Sequence, residues 1–279
     1  MLTSIGRARA LLWIAASTIM YSAAGAQSLW VRPTDTSQIY LEYIRPQFYE
    51  RGHVEEYSGL WTLGTRISIS NVVRLQAEIP YVYYDNSEDI LQGSGLPGNP
   101  YVGLEFGRID HWAFLSIGMR LPLAPDDEAA ASQYGLLGDY YRYEAYWPEM
   151  ADITALVGVH DSLGPGITYR SGVGVSVPQS VETAIFGLSD NPSVRYFGQL
   201  WLCYPTAEIG VGVIGRASIR NEPLVDNKRT VHELGAVGRL VGSRFRPGIY
   251  FRLPLSELNT TPSLEYVVGV NFAIVLGET

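Results

Sequence analysis

Residues 264–276 read LEYVVGVNFAIVL, and every second one is large and apolar: Leu264, Tyr266, Val268, Val270, Phe272, Ile274 and Leu276. Glu265, Val267, Gly269, Asn271 and Ala273 lie between them. A side-chain period of two is that of a β-strand, and the stretch is about twice the usual strand length of ~5–6 residues. Such a strand can cover a soluble core with its polar side in water. It can also cross a membrane, with its apolar side in lipid and its polar side lining a barrel. The periodicity is the same in both, so the rest of the chain has to separate them.

The same alternation recurs along the chain. WTLGTRISI sets Trp61, Leu63, Thr65, Ile67 and Ile69 against Thr62, Gly64, Arg66 and Ser68. In VRLQAEIPYVY, Arg74, Gln76, Glu78 and Pro80 oppose an apolar set. HWAFLSIGMRLPL opposes Ala113, Leu115, Ile117, Met119 and Leu121 to Trp112, Phe114, Ser116, Gly118 and Arg120. Twelve strands are expected, near 38–48, 57–69, 72–84, 100–108, 111–123, 151–160, 166–178, 193–203, 206–218, 231–241, 246–256 and 263–275. Their polar faces carry charges at mid-strand, which gives the candidate lumen-lining set Glu42, Arg66, Arg74, Glu78, Glu105, Arg120, Glu208, Arg239, Arg252 and Glu265. Glycines on that face leave room for long neighbours.

The connections favour the membrane. Short ones near 70–71, 109–110, 161–165, 204–205 and 242–245 alternate with longer ones near 49–56, 85–99, 124–150, 179–192, 219–230 and 257–262. Segregated loop lengths, an even strand count and spans of ~9–11 residues or more are those of a transmembrane barrel. Closure satisfies every backbone group in lipid, which an open sheet cannot do. The expected fold is therefore an all-β, antiparallel up-and-down transmembrane barrel of about 12 strands. The final strand should close it against residues 38–48, with Leu41 and Tyr43 outward and Glu42 inward.

Residues 1–26 are expected to be a cleaved signal peptide. Arg7 and Arg9 precede the apolar run ALLWIAASTIMY, and Ala24-Gly25-Ala26 supplies small residues before Gln27. Cleavage removes those two arginines and no acid, taking the formal charge from -8 to -10. That balance argues against nucleic acid as a partner. A periplasmic segment (27–37), the barrel (38–275) and a short tail (276–279) follow. Cys203 is the single cysteine, so no internal disulfide can form. With 29 glycines, 19 tyrosines and no apolar run long enough for a helical span after the leader, the composition suits an outer-membrane barrel. Tyrosines near strand ends, among them Tyr83, Tyr101, Tyr196 and Tyr204, are expected at the membrane interfaces.

The stretches AEIPYVYY (77–84), GSGLPGNPYVGLEFG (93–107) and MRLPLAP (119–125) resemble the meta-pathway phenol-degradation family of bacterial outer-membrane barrels. The resemblance implies carriage of small hydrophobic or aromatic compounds. It also implies contact with outer-membrane lipid, lipopolysaccharide and the barrel-assembly machinery. The chain departs from common outer-membrane barrels in ending FAIVLGET, without a terminal aromatic residue.

No stretch carries a catalytic signature. The glycines of GSGLPGNPYVG lack the spacing and the strand–turn–helix context of a phosphate loop, and an external loop is expected there. His160-Asp161-Ser162 falls on a short turn, where adjacent residues do not supply a nucleophile with an oriented base. His53, His111, His160 and His232 show no metal-ligand spacing. Residues 126–150 are different: long, acidic and aromatic. Tyr140, Tyr141, Arg142, Tyr143, Tyr146 and Trp147 are candidates for a constriction, folded over the mouth or into the lumen, or else packed on the barrel rim. The expected function is passive passage of small molecules, which the resemblance implies are hydrophobic or aromatic. The alternative is a structural or adhesive barrel with a plugged lumen. No enzyme activity, cofactor or metal is expected.

Overall fold

The computed structural model describes residues 36–48, 58–85, 94–107, 112–180, 192–220, 229–242, 244–255 and 264–277. The expected leader at 1–26, most of the segment at 27–37, and His53 and His111 lie outside these residues. The strands are β1 (Gln38–Phe48), β2 (Gly59–Ser68), β3 (Val73–Tyr84), β4 (Ser94–Pro97), β5 (Tyr101–Phe106) and β6 (Ala113–Arg120). After a helical insertion come β7 (Met150–Gly164), β8 (Ile167–Ser180), β9 (Ser193–Cys203), β10 (Ala207–Ser218), β11 (Thr230–Leu240), β12 (Phe245–Pro254) and β13 (Leu264–Val275). Each strand pairs antiparallel with its neighbours, and β13 pairs with β1, which closes the sheet. β4 and β5 lie end to end against β3, at Tyr81–Tyr84 and Val73–Glu78 respectively. The wall therefore has twelve staves, one of them interrupted.

Alternation sets the two faces. Leu63 is 48% exposed and Ile79 58%, whereas Thr62 and Glu78 are 2% and 3% exposed. The outside is apolar and the inside charged, the reverse of a water-soluble core and the arrangement of a barrel standing in lipid. Among the described residues no helix is long and apolar enough to cross a membrane. Closure removes the sheet edge, so the strand N–H and C=O groups find partners without water. Inward glycines let aromatic rings lie flat on the wall. The Tyr40 ring occupies the space a side chain at Gly64 would need, and Phe114, Phe197 and Tyr250 do the same at Gly158, Gly172 and Gly269.

Leu276 N–H donates to the Ser37 carbonyl at 2.8 Å, which places the two ends of the described chain together. The short turns 69–72, 165–166 and 204–206 follow from the same up-and-down order and share that end. The strand ends at Phe48, Tyr84, Ser218 and Pro254 lie at the other.

Five expectations are corrected. Glu265 is exposed, while its neighbours Leu264 and Val267 are buried. The cause is a register shift: Gln47 opposes Tyr266 but Phe48 opposes Leu264, so Glu265 is an extra residue bulged off the lumen face. GSGLPGNPYVG is not an external loop, since Ser94–Pro97 and Tyr101–Gly103 are wall strand. Pro97 and Pro100, which lack N–H groups, bracket the break between them. Tyr101 points inward and is 2% exposed, not placed at an interface, whereas Trp112, grouped with the inward face, is 67% exposed at the foot of β6. Finally, β7 continues through His160-Asp161-Ser162 to Gly164. The turn closes one step later at Gly166, whose φ of +74° is the left-handed region open to glycine. Ser162 still bonds locally, its N–H to Asp161 Oδ1 at 2.7 Å and its hydroxyl to the Gly164 carbonyl at 2.9 Å.

Candidate functional site: a lumen with an inward-folded loop

The connection between β6 and β7 folds into the barrel. It forms a ten-residue helix, α1 (Ala129–Gly138), followed by a 3-10 turn over Tyr140–Ala145. Apart from its first two alanines and Gln133, α1 is buried, and every residue of the 3-10 turn is buried. Its sequence, AAASQYGLLG, is apolar or small on all sides, as suits a helix with neighbours all round. Small residues permit the fit: Gly135 meets the Tyr146 ring, and Gly138 meets Pro46 and Leu60. Tyr134, Leu136, Leu137, Tyr141 and Trp147 join Ile44, Phe48, Leu60, Val82 and Leu96 of the wall in one apolar cluster. A gap between Tyr140, Tyr141 and the wall at Ile214, Arg216, Val231 and Glu233 is about 10 Å³, no more than one water.

The break between β4 and β5 docks this insertion. Asn99 Nδ2 donates to the carbonyls of Glu144 at 2.8 Å and Trp147 at 2.6 Å. Asn99 Oδ1 accepts from the N–H groups of Leu123 at 2.8 Å and Ala124 at 2.7 Å. The Asn99 N–H donates to the Ala145 carbonyl at 2.7 Å. One side chain thus ties the entry of the insertion to its exit. The two ends also meet directly, Glu149 N–H to the Ala124 carbonyl at 3.2 Å, with Glu149 at a φ of +53° as the chain turns back into β7.

Ion pairs hold the rest. Arg142 bridges Glu42 of β1 and Asp139 of the insertion, both at 2.7 Å. Asp139 also takes Arg252 at 3.2 Å, which reaches Glu233 at 3.0 Å. Glu144 pairs with Arg195 and Arg216. The Arg216 guanidinium also lies 4.0 Å from the Tyr143 ring centre. Burial alone would raise the Asp139 and Glu144 carboxyls, but Arg142 with Arg252, and Arg195 with Arg216, outweigh it and hold both below the ordinary carboxylate range. Burial pushes the Tyr141 hydroxyl up to about 12, so it stays neutral.

The half nearest the short turns is lined differently. Glu105 accepts from Arg66 and Arg74 through Oε1. Its Oε2 accepts from Arg170 at 3.0 Å and Gln76 at 3.4 Å. Glu208 pairs with Arg239, and Glu78 with Arg120 at 3.3 Å. Of the expected lumen-lining residues, Glu42, Arg66, Arg74, Glu78, Glu105, Arg120, Glu208, Arg239 and Arg252 are buried on the inner face, and Glu265 is not. The six aromatic and basic residues of the insertion, Tyr140, Tyr141, Arg142, Tyr143, Tyr146 and Trp147, are also all buried inside.

Sequence reasoning passed over Arg170, Arg195, Arg216 and Glu233 as lumen residues, although each alternates with outward neighbours in its strand. It also passed over Asn99, Asp139 and Glu144, which lie where no strand period applies. A notch of about 430 Å³ opens on the outer wall, lined by Ile209, Leu240, Ile249, Val270 and Phe272 where Gly238 offers no side chain. It faces away from the lumen.

No protein-family model matches the sequence, and no curated protein matches it. Solved structures do share the fold. An outer membrane channel from Pseudomonas putida F1 aligns over 90% of this chain and 100% of its own, with a TM-score of 0.59 and 10% identity. LpxR from Salmonella typhimurium aligns over 86% of this chain and 100% of its own, with a TM-score of 0.51 and 12% identity. At these identities the likeness is one of architecture: a twelve-stranded antiparallel barrel of the kind found in outer-membrane proteins.

Proposed function

We propose that this chain is an outer-membrane channel for small molecules, in which residues 124–149 act as a movable constriction and solute passes by diffusion. The observation that carries this is the attachment of the insertion. It crosses half of a charged lumen, yet is tied to the wall through its own two ends and through side-chain ion pairs. Such ties can break without disturbing a strand. The short-turn half behind it is lined with polar and charged side chains, as suits a passage for solute in water. The similarity in fold to an outer membrane channel supports the same reading. The sequence resemblance to the phenol-degradation barrels suggests small hydrophobic or aromatic solutes. Outer-membrane lipid and lipopolysaccharide would surround the wall, with the short turns and both termini on the periplasmic side. No catalytic role is assigned.

Single-channel recording in planar bilayers tests this, with protein lacking residues 1–26 beside a variant that also lacks 128–145. Steady conductance that is larger in the shortened variant is expected. If neither conducts while both give a heat-sensitive folded band on gels, the passage is refuted. The second reading, a structural barrel with a filled interior, would then lead. It is favoured by the near-complete burial of the insertion and the roughly one-water gap beside it.

A further inference from the structure

Charge inside the barrel is almost balanced overall and locally uneven. Among the described residues nine arginines and eight carboxylates are buried. In the half holding the insertion, acids are in excess: Arg142 and Arg252 share Glu42, Asp139 and Glu233. Arg195 and Arg216 have Glu144, with Asp152 beside Arg195. In the short-turn half the excess reverses, because Arg66, Arg74 and Arg170 all converge on the single carboxylate of Glu105. Arg74 is additionally held by the Gly107 carbonyl at 3.0 Å, a neutral acceptor, so all three guanidiniums still depend on Glu105 for charge. The Arg66 side chain is 7% exposed and its Nε has no hydrogen-bond partner. A buried guanidinium in a low-dielectric wall calls for a counter-charge, and three of them share one.

The surroundings define which anion would fit. The Arg170 guanidinium lies 4.3 Å from the Phe114 ring centre and 5.4 Å from that of Phe197. The His160 ring is 5.8 Å from Phe114. Phe114 and Phe197 fill the space that side chains at glycines 158 and 172 would need, which sets two apolar rings beside the Arg170 guanidinium. Planar guanidinium forks match a carboxylate in two-pronged fashion, and flat apolar walls match a ring.

We propose that this cluster is a binding site for a small aromatic carboxylate, with the carboxylate on Arg66 and Arg170 and the ring beside Phe114 and Phe197. As a statement about what passes, it rests on the channel reading; as a binding site it stands apart from it. Glu105 is the internal stand-in for the ligand carboxylate.

The test is calorimetric titration of benzoate into the detergent-folded chain, with benzyl alcohol and acetate as comparators and the heat-sensitive gel band as the check on folding. Benzoate is expected to bind at least tenfold more tightly than either comparator, and at least tenfold more weakly to Arg66→Gln/Arg170→Gln. Glu105→Gln, which removes the competing carboxylate, should bind benzoate at least threefold more tightly. A misfolded protein would not show that gain. Benzoate binding no tighter than benzyl alcohol or acetate overturns the assignment. So does a Glu105→Gln variant with no gain, or a folded double variant with unchanged affinity. Bilayer conductance reads passage separately: a silent barrel that still binds benzoate through Arg66 refutes the channel and leaves the site standing.

Discussion

Asn99 shows how much one side chain can carry once a strand is broken. It makes four side-chain hydrogen bonds to backbone on both ends of the insertion and is completely buried. Asn99→Ala removes four hydrogen bonds to backbone, at a cost of about 4 kcal/mol given ~1 kcal/mol per bond. The measurement is the denaturant midpoint of the heat-sensitive band, which should fall; protease cutting within 124–149 should rise. Asn99 could be read in the sequence as a turn former before Pro100, and its partners could not, because they lie 24 to 48 residues further on. Gly64 works through space. A methyl group there collides with the Tyr40 ring, which also donates to Glu78 at 2.9 Å. Gly64→Ala should destabilise the barrel by ~1–3 kcal/mol through overpacking, whereas Gly198→Ala, which meets nothing within 4 Å, should leave the midpoint unchanged.

The strands were legible to within a few residues because one face is in lipid and the other is not. A one-residue slip would exchange the two faces along a whole stave. The bulge at Glu265 escaped because the apolar alternation runs unbroken through it, and only the pairing with Gln47 and Phe48 shows the extra residue. Glu265→Leu should therefore change stability by less than ~0.5 kcal/mol, as expected for an exposed position. Glu42→Leu, which takes one of its two carboxylates from Arg142, should cost ~1.5–3 kcal/mol. Unfolding midpoints of the two variants measured side by side decide the placement. α1 escaped for the opposite reason: with apolar residues on every side it has no periodicity to find, and neither cap is marked by a side-chain hydrogen bond. The 126–150 segment could be recognised as aromatic and unusual, but its inward course depends on a cavity that exists only after the barrel closes.

The inside of the barrel has two compartments, an apolar and ion-paired half filled by the insertion and a half lined by the arginines around Glu105. Their joint dependence on pH follows from Asp139 and Glu144. Both carboxyls lie lower in the folded state than their ordinary values of 3.8 and 4.5. A depressed carboxylate contributes stability that is fully present above its unfolded value and is lost as pH falls through its folded value. The share of Asp139 and Glu144 in seating the insertion should thus weaken as pH falls below about 4. Conductance, or protease access to 124–149, is expected to follow that course. A change centred near neutrality would assign the latch to other groups.

From composition and period two alone came the twelve strands, the inward charges and the apolar wall, since each reflects a contrast between lipid and water acting residue by residue. Which of those charges face one another depends on strands far apart in the chain meeting across a closed ring. So do the surplus of arginines around Glu105, the break that presents Asn99, and the loop that fills half the lumen. Local sequence carries no record of that distance, because closure brings residues such as Glu42 and Arg142 together only when the last strand pairs with the first.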